Sequence, residues 1–181
     1  SRRTAEDKFI GINAGRTQHD GLELALNYNW FQKEKLSINS FLNYSLNNFI
    51  FKEFIDDTAD FSGIDLTGVP SDIFNAGIDF DCAFGLYGNI NYQYVGSMPM
   101  TDSNSLYSDS YNLTNFKIGY QSKLSKSLKF NIFLGVNNLF DEHYASQILI
   151  NASGFGSSSP RYYYPGNPIN FFMGFNINYI F

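Results

Sequence analysis

The amino-acid sequence predicts an all-β chain, in which seven antiparallel, up-and-down strands form part of the wall of a membrane-spanning β-barrel. Three observations carry this expectation. Apolar and polar residues alternate with a period of two in seven separate stretches, which is the side-chain repeat of a strand and not of a helix. The 181 residues include 19 Phe and 13 Tyr, more rings than a core of this size needs, and surplus rings belong at the boundary between lipid and water. The connections alternate strictly between short and long, the asymmetry of barrels with tight periplasmic turns and long extracellular loops.

Taken in order, Leu22, Leu24, Leu26, Tyr28 and Trp30 alternate with Glu23, Ala25, Asn27 and Asn29. From Leu36 to Ile50 the even positions are mainly apolar, and the odd ones are mostly Ser and Asn, broken by Phe41 and Phe49. Phe74–Cys82 and Leu86–Tyr94 repeat the pattern against Asn75, Asp79, Asn89 and Asn91. A weaker strand covers about Tyr111–Gln121, and Leu128–Val136 follows with Lys129 and Asn131 on its other side. The last strand is the cleanest, with Ile169, Phe171, Met173, Phe175, Ile177, Tyr179 and Phe181 set against Asn170, Gly174, Asn176 and Asn178. Short links are expected at Phe31–Lys35, Ala83–Gly85 and Ser122–Lys126, and long ones at Lys52–Val69, Ser97–Ser110 and about Phe140–Asn167.

The polar set decides what the apolar set touches. A soluble sandwich would carry many charges on its outer face, whereas this polar set holds mainly Asn, Ser, Gln and Gly, which suit a wet lumen. Strands of this length match the roughly 9–11 tilted residues that cross hydrocarbon. Charge also sorts with loop length: Lys33, Lys35, Lys123 and Lys126 lie at short turns, and Asp56, Asp57, Asp60, Asp65, Asp102, Asp109, Asp141 and Glu142 in long loops. In lipid every backbone polar group needs a partner, so such a sheet must close. Seven strands are too few, since the smallest natural barrels have about eight. Either Lys8–Ala14 adds one or strands lie upstream, and the lengths favour the second. The opening Ser-Arg-Arg-Thr, without Met or a signal-peptide core, likewise suggests a fragment.

The net charge of −5 and acidic composition argue against a nucleic-acid partner. No run of 18 apolar residues provides a spanning helix. Single Cys82 can form neither an internal disulfide nor a metal cluster and reads as a small apolar strand residue. No Ser/His/acid grouping has credible spacing, so no enzyme activity and no cofactor are expected.

Three motifs add a resemblance. The stretch Asn13–Glu23 contains Asn13-x-Gly15 followed by Gly21-hydrophobic-Glu23 at the head of a strand. Later come Asn138-Leu139-Phe140-Asp141-x-x-Tyr144 and Tyr164-Pro165-Gly166-Asn167-Pro168, the latter leading into a strand that ends in Phe181. In order and spacing the three resemble the TonB-dependent outer-membrane receptors and together span nearly the whole chain. The resemblance implies that residues 1–181 are the C-terminal part of a plugged barrel of roughly 22 strands, with the N-terminal plug domain and earlier strands absent. It implies an integral protein of the bacterial outer membrane, amid lipid and lipopolysaccharide, active in uptake of a scarce nutrient. The style of the Asn-x-Gly region points to a ferric siderophore or other iron complex. The TonB complex would be met only through the missing plug. The resemblance also implies that Phe171, Met173, Phe175, Ile177, Tyr179 and Phe181 are read by the barrel-assembly machinery, although Asn176 stands where a glycine is expected and Gly174 lies two residues earlier. The alternative is a complete small barrel with a structural or adhesive role.

For ligand contact the candidates are Arg161, Tyr162, Tyr163 and Tyr164, which offer a planar cation and stacking faces. The plainer reading of this run is an aromatic girdle. His19 and His143 lack ligand-spaced neighbours and read as surface residues. The acidic loop lacks the spacing of a calcium site, and Gly154–Ser159 lacks the Gly-Lys-Ser/Thr of a phosphate loop.

Overall fold

A computed structural model describes residues 2–3, 9–10, 15–56, 58–154 and 156–180, with only the backbone of residues 2–3 and 9–10. Seven strands follow one another in a meander: β1 (Arg16–Lys33), β2 (Leu36–Glu53), β3 (Asp72–Cys82), β4 (Leu86–Val95), β5 (Tyr111–Lys123), β6 (Leu128–Asn137) and β7 (Asn170–Tyr179). Each is hydrogen-bonded antiparallel to its sequence neighbours in one sheet, with β1 and β7 at the edges. The expected up-and-down architecture, strand count and loop alternation are all present. Phe9–Ile10 pairs with Arg2–Arg3 in a separate ladder and adds nothing to the sheet.

The register turns the period of two into rows across the sheet. Tyr28, Ser40, Ile78, Ile90, Phe116, Val136 and Phe171 are successive partners. Asn29, Asn39, Asp79, Asn89, Lys117, Gly135 and Phe172 form the adjoining row on the opposite face. One face is therefore mostly greasy and the other mostly polar, because a paired residue always shares its partner's side.

Two features depart from simple alternation. β1 begins at Arg16, six residues before the pattern starts. Its first residues, Arg16, Thr17, Gln18, His19 and Asp20, are polar on both faces. A bulge between Asn29 and Phe31 then sets Phe31 opposite Ile38, which moves Phe31 onto the greasy face. Trp30 packs edge-on against Tyr28 at 4.7 Å and its indole N–H donates to Ser40 Oγ at 2.9 Å.

Aromatic residues on the polar face are explained by the residue across from them. Phe41 lies opposite Gly77, Tyr87 opposite Gly119, Phe133 opposite Gly174 and Phe172 opposite Gly135. A Cβ on Gly135 would fall 2.1 Å from the Phe172 ring, and one on Gly174 would fall 2.2 Å from Phe133. Each ring thus lies flat across its neighbour's backbone. Gly174 has this packing role in β7. Phe49 is accounted for differently, by stacking on His19 at 4.4 Å.

Candidate functional site at the extracellular mouth

The long loops, residues 54–71, 96–110 and 138–169, leave the same end of the sheet and interlock there. Gly68 N–H donates to Pro99 O, and Asn151 N–H to Met100 O. Thr67 donates its hydroxyl to Asp102 at 2.6 Å, and Asp102 N–H donates to Asn151 Oδ1 at 2.9 Å. Tyr107 donates to Asp65, and burial together with that carboxylate pushes its hydroxyl above the usual tyrosine range. In the first loop Asp60 accepts from the side chain and backbone of Ser62, which holds it below the usual carboxylate range. Met100, with no exposed surface, sits at the centre of this knot.

The Asn138–Tyr144 motif is the hinge of the third loop. Asn138 and Asp141 both have positive φ, near 52° and 53°, a region that Asn and Asp enter more readily than most residues. The Asn138 side chain is almost completely buried. Its Nδ2 donates to Glu142 O and Asn167 O, and its Oδ1 accepts from Glu142 N–H. Asp141 Oδ1 accepts from Ile169 N–H at 2.8 Å. Two side chains thereby tie the start of a long loop to its end, immediately beside β6 and β7. Leu139 donates its N–H to Thr114 O, whereas Phe140 points outward and is exposed. Tyr144 lies on Gly166 and packs at 4.9 Å against Tyr111.

Tyr111 heads β5 on the polar face, so this pair stands at the long-loop end of the polar side. Around it opens a basin of about 290 Å³ lined by Ser108, Asp109, Ser110, Tyr111, His143, Tyr144, Ala145, Tyr163 and Pro165. Tyr163 reaches it because residues Ala145–Ile148 pair with Tyr163–Pro165 as a hairpin within the third loop. Of the four residues singled out by sequence, only Tyr163 lines the basin; Arg161, Tyr162 and Tyr164 do not. The sequence does not single out Tyr111, Tyr144 and His143 for this basin, because loop folding and not spacing gathers them. The signal for Tyr111 was its odd parity in a strand whose odd positions face the lumen.

The other motif residues have backbone roles. Gly15 has φ of 101°, and its missing Cβ would meet Glu53 O at 1.7 Å. A Cβ on Gly21 would fall 2.6 Å from Leu46 O, and Glu23 lies opposite Ser45 on the polar face. Arg16 and Glu53 close the head of the first hairpin with an ion pair. Phe171, Met173, Phe175, Ile177 and Tyr179 share one exposed face of β7 opposite Val136, Leu134, Ile132, Phe130 and Leu128. Asn13 and Phe181 lie outside the described residues.

Lower on the polar face, Lys117 Nζ sits 4.4 Å from the Phe133 ring centre and 5.9 Å from that of Tyr87. The Tyr87 hydroxyl donates to Asn131 Oδ1 at 2.7 Å. Among the described residues no group of His, Cys, Asp and Glu is placed to hold a metal ion.

Residues 2–139 match the family described as TonB dependent receptor-like, β-barrel. The fold is similar to that of the siderophore receptor PiuA from Acinetobacter baumannii, at 16% identity and a TM-score of 0.65 over 90% of this chain. It is similar to the ferric-catecholate import receptor Fiu from E. coli K12, at 19% identity and a TM-score of 0.64 over 98% of the chain. The ferric yersiniabactin uptake receptor FyuA from Yersinia pestis gives 21% identity and a TM-score of 0.56 over 92%. The chain spans 22%, 23% and 24% of these receptors' own lengths. With the two-faced sheet, the sorted loops and this match over most of its length, the chain belongs to the TonB-dependent receptor β-barrel family, whose members are integral outer-membrane transporters and not enzymes.

Proposed function

We propose that this chain is the C-terminal portion of a receptor that actively takes up a ferric siderophore or another iron complex, and that its long loops gather the ligand at the extracellular mouth. The observation that carries the reading is the basin of Tyr111, Tyr144, Tyr163 and His143 at the lumen side of the interlocked loops. Aromatic faces with a few polar groups around them suit an organic chelate. The three similar structures are described as a siderophore receptor, a ferric-catecholate import receptor and a ferric yersiniabactin uptake receptor, which supports the ligand class by analogy of fold only.

The rest of the receptor would supply the earlier strands that close the sheet, a plug in the lumen, and contact with TonB through that plug. Outer-membrane lipid and lipopolysaccharide would meet the greasy face. The barrel-assembly machinery would read β7 and Phe181 through the strand's unpaired edge. Arg161, exposed near the tip of the third loop, is a rim contact in this reading.

The test is growth. A strain lacking its other iron receptors and carrying the full-length gene should grow on at least one ferric siderophore, and Tyr111→Ala with Tyr163→Ala should weaken uptake. Growth on no iron complex, with the receptor present in the membrane, would refute the ligand class. Deleting Phe181 should slow insertion in cells; insertion at the wild-type rate would remove its assembly role.

A further inference from the structure

The mouth of this receptor segment carries a charge pattern that bears on the kind of ligand it admits. By sequence, residues 54–71, 96–110 and 138–169 hold eight carboxylates and, apart from Arg161, no Lys or Arg. Arg161 does not line the basin, and neither does any lysine. The wall of the basin instead combines the Asp109 carboxylate, the seryl residues 108 and 110, and four aromatic rings. The rings of Tyr111 and Tyr144 are tilted by 34° to each other at 4.9 Å, so they do not form a slot into which another ring could slide between parallel faces. Aromatic faces carry negative electrostatic potential and attract organic cations. A carboxylate on the same wall adds to that attraction, and a cleft lined by one sign of charge concentrates ions of the other.

Resting on the uptake function proposed above, we infer that the basin of Tyr111, Tyr144, Tyr163, His143 and Asp109 receives a positively charged organic group of the ligand. The receptor then selects a neutral or cationic iron chelate with an exposed amine over a multiply anionic one. The basin's size suits such a group: about 290 Å³ holds one substituent and not a whole chelate. An anionic complex would meet the loop carboxylates on approach and find no lysine or arginine in the basin. Lys117, the next cation along β5, is six residues further down the strand, roughly 20 Å at the rise of a strand.

The experiment uses the purified full-length receptor and three probes: a ferric tris-hydroxamate with a free ammonium, the same chelate N-acetylated, and a ferric tris-catecholate. The ammonium form should bind about tenfold more tightly than the acetylated one, in the range of a partly desolvated cation–π and charge contact. That ratio should shrink as salt is raised. Asp109→Asn, at an exposed position, should reduce the ratio several-fold, with a larger loss for the ammonium form than for the acetylated one. Equal binding of the ammonium and acetylated forms, or preference for the catecholate, overturns this inference and leaves the uptake function standing. If no chelate binds, the uptake function fails, and the basin is judged alone by titration with a tetraalkylammonium ion followed by ligand NMR. Saturable binding lost in Asp109→Asn supports the cation site, and absence of saturable binding overturns it.

Discussion

In the wall of the sheet, Leu26, Ile90 and Met173 stand exposed on one face while asparagines and a lysine occupy the other. In the loops above it, Met100 is fully enclosed and Ser108 and Asn138 are buried with their polar atoms bonded. The wall is held by backbone ladders between neighbouring strands, and its apolar side chains are finished by lipid. The cap stands in water and must supply its own interior. One chain therefore obeys two solvents, and a substitution is costly for different reasons in the two places.

The largest contrast should come from the centre of the cap. Met100→Ala removes the only fully buried large side chain among the described residues and should cost about 2–5 kcal/mol of local stability. Hydrogen exchange should show the three loops opening together while the strand amides keep their protection. Loss of protection in β3–β6 as well would mean that wall and cap are one cooperative unit.

Next comes a pair of neighbouring residues on opposite faces of β4. Ile90→Arg places charge on the greasy face at an expected cost of about 2–4 kcal/mol near the bilayer midplane, whereas Asn89→Arg points into the polar lumen and should cost much less. Urea unfolding of the full-length receptor in lipid vesicles compares them, and equal costs would break the assignment of faces.

The smallest effect sharpens the boundary between the regions. Asn138→Ala abolishes three side-chain hydrogen bonds at a positive-φ position and should cost about 1–3 kcal/mol. Asn138→Gly keeps the backbone freedom and loses only the bonds, so it should fall between Ala and wild type. Faster proteolysis of loop 138–169 reports the loss. If Gly and Ala behave alike, backbone strain contributes nothing there.

Much of the wall was legible in advance. Strand number, facing and the Ala83–Gly85 turn follow from alternation punctuated by turn residues, and Phe171–Tyr179 reads as a lipid-facing strand without any tertiary information. The Asn138–Tyr144 motif was also visible, but as a pattern. That Asn138 and Asp141 clasp the two ends of a loop depends on residues 167 and 169 returning to them. Phe41 reads as a break in a polar face until pairing places Gly77 opposite it.

By itself the sequence determined that this chain makes a two-faced antiparallel sheet with long loops at one end and short turns at the other. A period of two is a local property, and each strand needs only its own residues to express it. The tertiary structure alone decided where the bulge at Trp30 re-aims Phe31, which residues enclose Met100, and that Tyr111, Tyr144 and Tyr163 meet beside Asp109. Those outcomes join positions far apart in the chain, and they are fixed by register and loop packing, which no short stretch of sequence contains.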